Sequence, residues 1–139
     1  MNETNNQIKE KWILLDAENK VLGRLASKIA IYLMGKNTIE YKRNVVSGYN
    51  IIVINAKKLI FTGKKINNKV YYRHSGYPGG FKKTLLKDLV EKNIQFVIKN
   101  AVKGMLPKNK LQKIMLKRLR IFSTSTHIHE AQKPEKIEI

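Results

Sequence analysis

The chain has 139 residues, 28 Lys plus Arg against ten Asp plus Glu for a formal charge of +18, and no cysteine. That length makes one domain, able to bury roughly two-thirds of its unfolded surface without a staple, and the missing cysteines exclude a disulfide scaffold and any cysteine-ligated zinc site. A positive excess of this size repels itself in the folded state and calls for an anionic partner: nucleic acid, an anionic membrane or an acidic protein.

Residues 1–10 contain two Glu and no apolar core, so they resemble neither a secretory nor a mitochondrial leader and read as a flexible N-terminal arm. Residues 11–16 are a short apolar run ending on Asp16, a first strand, with the turn at 17–20. From Val21 the period changes: Leu22, Leu25, Ile29 and Leu33 recur at helical steps to about Met34, where Gly35 stops the helix. Gly23 and Arg24 in its first turn offer a phosphate the amide-rich end of the helix; a packing glycine is the plainer reading. Residues 36–48 are a basic loop. Residues 49–55 form a continuous, β-branched apolar run, the mark of a strand buried on both faces.

Strand, helix and buried strand make a βαβ unit. The expected fold is therefore α/β, with a partly parallel sheet. Two further strands are expected at 58–62 and 69–73 around a turn at 63–68. After a loop at 74–80, Thr84 is the candidate N-cap of a helix through Leu85, Leu86, Leu89 and Val90. A second helix runs from about Ile94 with Val97, Ile98, Ala101, Val102 and Met105 inward, and ends at Pro107. A third begins near Lys108, residues 119–122 form a strand, and the tail over 123–139 reads as mostly irregular. No repeat or linker divides the chain.

The positive charge is not spread evenly. Residues 41–87 hold eleven basic side chains and no acid, and residues 92–129 hold nine more, again with none. Charge running through folded segments favours a shaped polyanion such as structured RNA. No apolar run approaches the roughly 20 residues of a membrane-spanning helix, and the helices lack the aromatic-rich apolar face of a membrane-surface binder.

Two segments concentrate the signal. After Pro107, the helical count puts Lys110, Lys113, Lys117 and Arg120 on one stripe opposite Leu111, Ile114, Met115 and Leu119, with Arg118 an exception on the apolar side. A solvated face normally mixes signs, and this one is uniformly positive. Residues 71–83 interleave aromatics, glycines and cations: glycines admit phosphates to backbone amides, aromatics and Arg stack on bases, and Lys adds salt-sensitive charge. The Walker and dinucleotide-binding glycine spacings are absent. His127 and His129 lack a distinct ligand set, so no metal is expected, and no carboxylate pair or nucleophile elbow suggests catalysis.

The block Val102-Lys103-Gly104-Met105-Leu106-Pro107, followed by a basic helix, resembles the signature of the L13 family of large-subunit ribosomal proteins. Further blocks agree in the family's order: Leu22-Gly23-Arg24-Leu25-Ala26, Thr62-Gly63-Lys64-Lys65, Tyr71-Tyr72-Arg73-His74-Ser75-Gly76-Tyr77-Pro78-Gly79-Gly80, and residues 127–132. The resemblance covers about residues 11–134. It implies a three-layer α/β/α core around a small mixed, mostly parallel sheet, no enzymatic activity and no cofactor. It also implies a cytoplasmic place in a ribosome, bacterial or organellar, with a role in early large-subunit assembly.

The implied partners are large-subunit (23S-type) ribosomal RNA, neighbouring ribosomal proteins and, for some bacterial members, their own messenger RNA. Arg73, His74, Gly79, Gly80, Lys103, Gly104, Met105 and Pro107 fall on signature positions. Chemistry extends the expected RNA-binding set to Arg24, Lys36, Lys42, Arg43, Lys64, Lys65, Tyr77, Lys82, Lys83, Lys108, Lys110, Lys113, Lys117 and Arg120. The alternative function is an RNA-binding translational regulator acting outside the ribosome. This chain departs from the family pattern at Asn109 and Gln112, where glycines are common, and at Ser123-Thr124. Asn is the residue other than glycine that best tolerates positive φ.

Overall fold

The computed structural model describes residues 11–139 apart from Glu40 and Ser47; the expected N-terminal arm lies outside the described residues. Strand β1 (Trp12–Asp16) buries Ile13 and Leu15 by simple alternation. Helix α1 (Leu22–Met34) follows, and Gly35 closes it in the left-handed conformation at φ 76°, donating its N–H to the carbonyls of Ile31 and Tyr32. Strand β2 (Asn50–Ile54) is buried along its whole length and pairs parallel to β1 from Trp12↔Asn50 to Asp16↔Ile54. This is the expected βαβ unit.

The chain continues through a one-turn helix α2 (Lys65–Asn68), strands β3 (Val70–His74) and β4 (Phe81–Leu85), and helices α3 (Leu86–Lys92), α4 (Ile94–Met105) and α5 (Leu111–Lys117). It ends with the short strands β5 (Leu119–Ile121) and β6 (Glu135–Ile137). The main sheet has the order β5-β2-β1-β6 with every pairing parallel. The antiparallel component is a separate two-stranded ribbon of β3 and β4. The fold is a small α/β fold, as the sequence leads one to expect.

The core gathers on one face of the main sheet. Leu25, Ile29 and Leu33 of α1, Val97, Ile98 and Val102 of α4, Leu86 of α3 and Met115 of α5 join Ile13, Leu15, Ile51 and Val53 in one buried cluster. Each fully buried aliphatic side chain contributes about 1.5–3 kcal/mol, so this cluster fixes where α1, α3, α4 and α5 sit. The second face carries Trp12 and is covered by residues 122–132, whose only helical piece is a 3-10 turn at Glu130–Gln132. There the His129 ring stacks on Trp12 at 5.4 Å, and Phe122 meets His127 at 6.3 Å and His129 at 5.8 Å. At the carboxyl ends of β1 and β2, Asp16 accepts from Asn55 Nδ2 at 3.0 Å and from the Glu18 N–H at 2.9 Å. Burial opposes its ionisation, but these bonds and the charges of Lys136 and Lys58 prevail and hold its carboxyl below the ordinary value.

Four expectations change. Residues 58–62 are not a strand: Asn55 takes φ 56°, a 3-10 turn forms at Ala56–Lys58, and only an isolated bridge joins Ile60 to Val21. The turn at 63–68 winds into α2. Thr84 is not a helix cap, because its backbone pairs with Tyr71 in β4. Helix α3 starts two residues later without a side-chain cap, and the capping residue of this region is Asn93, which accepts the Phe96 N–H at 3.2 Å ahead of α4. The mostly irregular tail supplies β6, an edge strand paired parallel to β1. Its pairing partner is more than a hundred residues away in sequence, and three residues carry no period that could announce it.

Candidate nucleic-acid interface

The first cationic region is the corner between α4 and α5. Val97, Ile98 and Val102 bury one side of α4, which leaves Lys99 and Lys103 on the other, exposed. Leu106 is buried and pins the corner, while Pro107 prevents the helix from continuing. Two of the departures from the family pattern act here as ties. Asn109 does not adopt positive φ; its Oδ1 accepts the Leu111 N–H at 3.0 Å. Gln112 donates from Nε2 to the Lys103 carbonyl at 2.9 Å, fastening α5 to the end of α4. An open groove of about 500 Å³ runs between Asn100, Lys103, Gly104, Lys108 and Gln112.

Gly104 sits in the last turn of α4, where a Cβ would meet nothing within 4 Å and its φ is not positive. Neither packing nor conformation within the chain requires glycine there, although glycine costs a helix roughly 0.5–1 kcal/mol relative to Ala. Gly23, near the start of α1, is open in the same way, which removes the packing reading of that residue. The two sites are neighbours, since Ser27 Oγ donates to the Gly23 carbonyl at 2.9 Å and lies 3.5 Å from Met105 Sδ. Arg24 is exposed beside them.

The expected four-residue stripe becomes three. Lys110, Lys113 and Lys117 are exposed on one side of α5, with Ile114, 47% exposed, among them; the inward side is Met115 with Leu111 and Leu116. Arg120 leaves the stripe because α5 ends at Lys117 and the chain becomes a strand. Its alternation sends Leu119 and Ile121 into the core and Arg120 to the opposite face. There the guanidinium lies 5.0 Å over the Trp12 ring, with Nη1 buried and unpaired. Arg118, the exception on the apolar side, is a tether: Nη1 donates to the Gly48 carbonyl at 2.8 Å. Gly48 itself lies so close to the carbonyl of Leu33 that a Cβ could not fit. This bond ties α5 to the basic loop carrying Lys36, Lys42 and Arg43, all exposed.

The second region is the ribbon. The β3–β4 register places Arg73 opposite Lys82, Tyr72 opposite Lys83 and His74 opposite Phe81. At its tip, Gly80 N–H bonds to the Tyr77 carbonyl at 2.9 Å and Gly79 takes φ 74°, a conformation that side chains resist. The Gly76 N–H donates to His74 Nδ1 at 2.8 Å. Arg73, His74, Tyr77, Lys82 and Lys83 are all exposed, and Lys64 and Lys65 are exposed at the ribbon's foot. Tyr72 and Phe81 were absent from the expected set. Strand alternation places them with Lys83 on the outer face, but that needs the ribbon's register, which residues 71–83 alone do not reveal.

Among the described residues the one ion pair is Lys58 Nζ with Glu18 Oε1 at 2.8 Å, which raises the Lys58 pKa. Among the described residues, no cation of the corner, loop or ribbon is paired with a carboxylate. His127 and His129 serve packing: burial first, then the charges of Arg120 and His127, lowers the His129 pKa. No group of three or more His, Asp or Glu side chains among the described residues is arranged to hold a metal ion. No described helix is long and apolar enough to cross a membrane.

A compact α/β core that holds several cationic surfaces in fixed relation defines a small basic scaffold protein. The model of the family described as Ribosomal protein L13 matches residues 10–128. The chain belongs to that family, whose members are structural proteins and not enzymes. It is 51% identical over 132 residues to the large ribosomal subunit protein uL13 of Wigglesworthia glossinidia brevipalpis, covering 95% of this chain and 93% of the relative. It is 51% identical over 133 residues to uL13 of Thermoanaerobacter sp. (strain X514), covering 96% and 93%. The uL13 of Thermus thermophilus is 47% identical over 133 residues, covering 96% and 95%.

Proposed function

We propose that this chain is a structural constituent of the large subunit of the cytoplasmic ribosome and binds large-subunit RNA through its corner, basic loop and ribbon, supporting subunit assembly. Family membership carries the ribosomal part. The observation that favours RNA is the exposure, without carboxylate partners among the described residues, of cations held by a folded core: Gln112 fixes α5 to α4 and Arg118 fixes α5 to the basic loop. Side chains positioned in this way match phosphates at set spacings rather than collecting anions at random. Neighbouring ribosomal proteins are the expected further partners.

The test is a salt titration of binding to large-subunit RNA. With roughly eight phosphates neutralised, affinity falls about 10³-fold or more between low and moderate salt. A nearly salt-independent affinity overturns the mechanism. Sedimentation separates the ribosomal reading from a free regulator: a constituent stays with large subunits through a moderate salt wash, and a regulator does not.

A further inference from the structure

The ribbon has two unlike faces. Its inner face is anchored, with the Tyr71 ring against Phe96 of α4 at 6.0 Å and 70°. Its outer face has no cover among the described residues. There Tyr72 and Phe81 stack on each other with centroids 5.6 Å apart and planes 22° apart, yet they remain 63% and 52% exposed. Lys83 Nζ lies 6.0 Å from the Tyr72 centroid and 5.8 Å from that of Phe81. A stacked pair of exposed rings bordered by Lys83, in a block of residues 41–87 without an acid, is not explained by phosphate binding, which needs no aromatic surface.

We propose that the outer face of the ribbon is a nucleobase-stacking site, taking an unpaired base of the RNA on the Tyr72–Phe81 pair while Lys83 holds an adjoining phosphate. The proposal rests on the RNA-binding reading above and names the class of ligand for one part of that surface. Unpaired nucleotides are the fitting class because an A-form helix hides its base faces in the stack, whereas loops and bulges present them to aromatic side chains. The charge excludes a cationic partner for this face and favours a polyanion that also carries flat rings. RNA has both. Tyr77 at the tip is a further exposed ring, 74% exposed.

The experiment measures binding of the full-length protein to large-subunit RNA across a salt series, for wild type, a Tyr72→Ala/Phe81→Ala variant and a Tyr72→Leu/Phe81→Leu variant. Stacking is worth roughly 5- to 150-fold in affinity per base. Both variants are therefore expected to bind roughly tenfold or more weakly with an unchanged salt slope, because no phosphate contact is lost. Ultraviolet cross-linking of the wild-type complex, which needs no variant to fold, is expected to join Tyr72 or Phe81 to an unpaired nucleotide.

Unchanged affinity in the Ala variant, full affinity in the Leu variant, or cross-links confined to the corner would overturn the stacking site and leave RNA binding standing. Loss of retention in assembled subunits without loss of affinity for the isolated RNA would reassign the face to a protein neighbour and likewise overturn it. If the wild-type protein fails to bind the RNA at all, the failure lies with the RNA-binding reading beneath it.

Discussion

The corner and the ribbon sit at the two ends of α4, separated by about 12 Å at 1.5 Å per residue between Phe96 and Gly104, and they are built on different principles. The corner is charge on a tied frame. Leu106 is buried, Gln112 and Arg118 cross-link α5 to two other elements, and the lysines project from that frame into solvent. The ribbon is aromatic surface on a light anchor. Two antiparallel strands are marginal alone, and this pair leans on the body through Tyr71 and through Leu86, buried in the core where β4 runs into α3. A surface that reads phosphates must hold its charges at fixed spacing. A surface that takes a splayed base gains more from flat, accessible rings than from rigidity.

The contrast can be broken most forcefully at the corner. Replacing Lys110, Lys113 and Lys117 together with Ala is expected to weaken RNA binding roughly tenfold or more at moderate salt and to flatten the salt slope by about 3. The fold should be unaffected, because all three side chains are exposed. A weakened affinity with the slope preserved would mean that the stripe does not meet phosphates, and the distinction from the ribbon would disappear.

Next in size is Gly48→Ala, which drives a methyl group into the Leu33 carbonyl and disturbs the acceptor of Arg118. A loss of about 1–3 kcal/mol in a denaturant titration is expected. A neutral result would show that the loop can move away, and the corner would then be less firmly tied than described.

Gly104→Ala is expected to act in opposite directions on two measurements. The protein gains roughly 0.5–1 kcal/mol from helix propensity, read as a higher thermal midpoint, while RNA affinity falls because the new methyl group stands where the partner approaches. Higher stability with unchanged affinity would place Gly104 outside the interface. Amide exchange sharpens the same comparison without a mutation: β3 and β4 are expected to exchange well ahead of the fully buried β2. Equal protection would deny the ribbon its light anchoring.

The smallest expected effect lies in neither region but in the C-terminal cover, which serves as a control. His129 has a pKa below its ordinary 6.5, because burial and the charges of Arg120 and His127 disfavour its proton. As pH falls from about 6.5, the unfolded chain takes up that proton before the folded one does. Stability is therefore complete above that range and declines as pH drops through the folded value. Nuclear magnetic resonance should show the His129 ring and its stacking neighbour Trp12 titrating together below pH 6.5. A His129 midpoint at or above 6.5 would contradict this.

Local pattern carried much of this structure. The three- and four-residue steps of α1 and α4, the continuous apolar run of β2 and the stop at Gly35 depend on neighbours in the chain, so they could be read directly. The family signature, the acid-free blocks and most of the exposed cations were legible for the same reason. Four things were not. Thr84 looks like a helix cap until its backbone is claimed by Tyr71 across the ribbon. Residues 58–62 carry a short apolar run like a strand's but find no neighbour beyond one bridge to Val21. The tail contributes β6 only because β1 offers it an open edge. Arg120 continues the helical count of Lys110, Lys113 and Lys117, yet pairing with β2 turned it to the far face, over Trp12.

By itself, then, the sequence determined the class of fold, the family and the sign and rough location of the exposed charge, because period, composition and short motifs are properties of consecutive residues. The tertiary structure decided which cations share a face, that Arg118 is a tether rather than a contact, and that Tyr72 and Phe81 form an exposed pair. Those depend on strand register and on hydrogen bonds between distant segments, which no local pattern encodes.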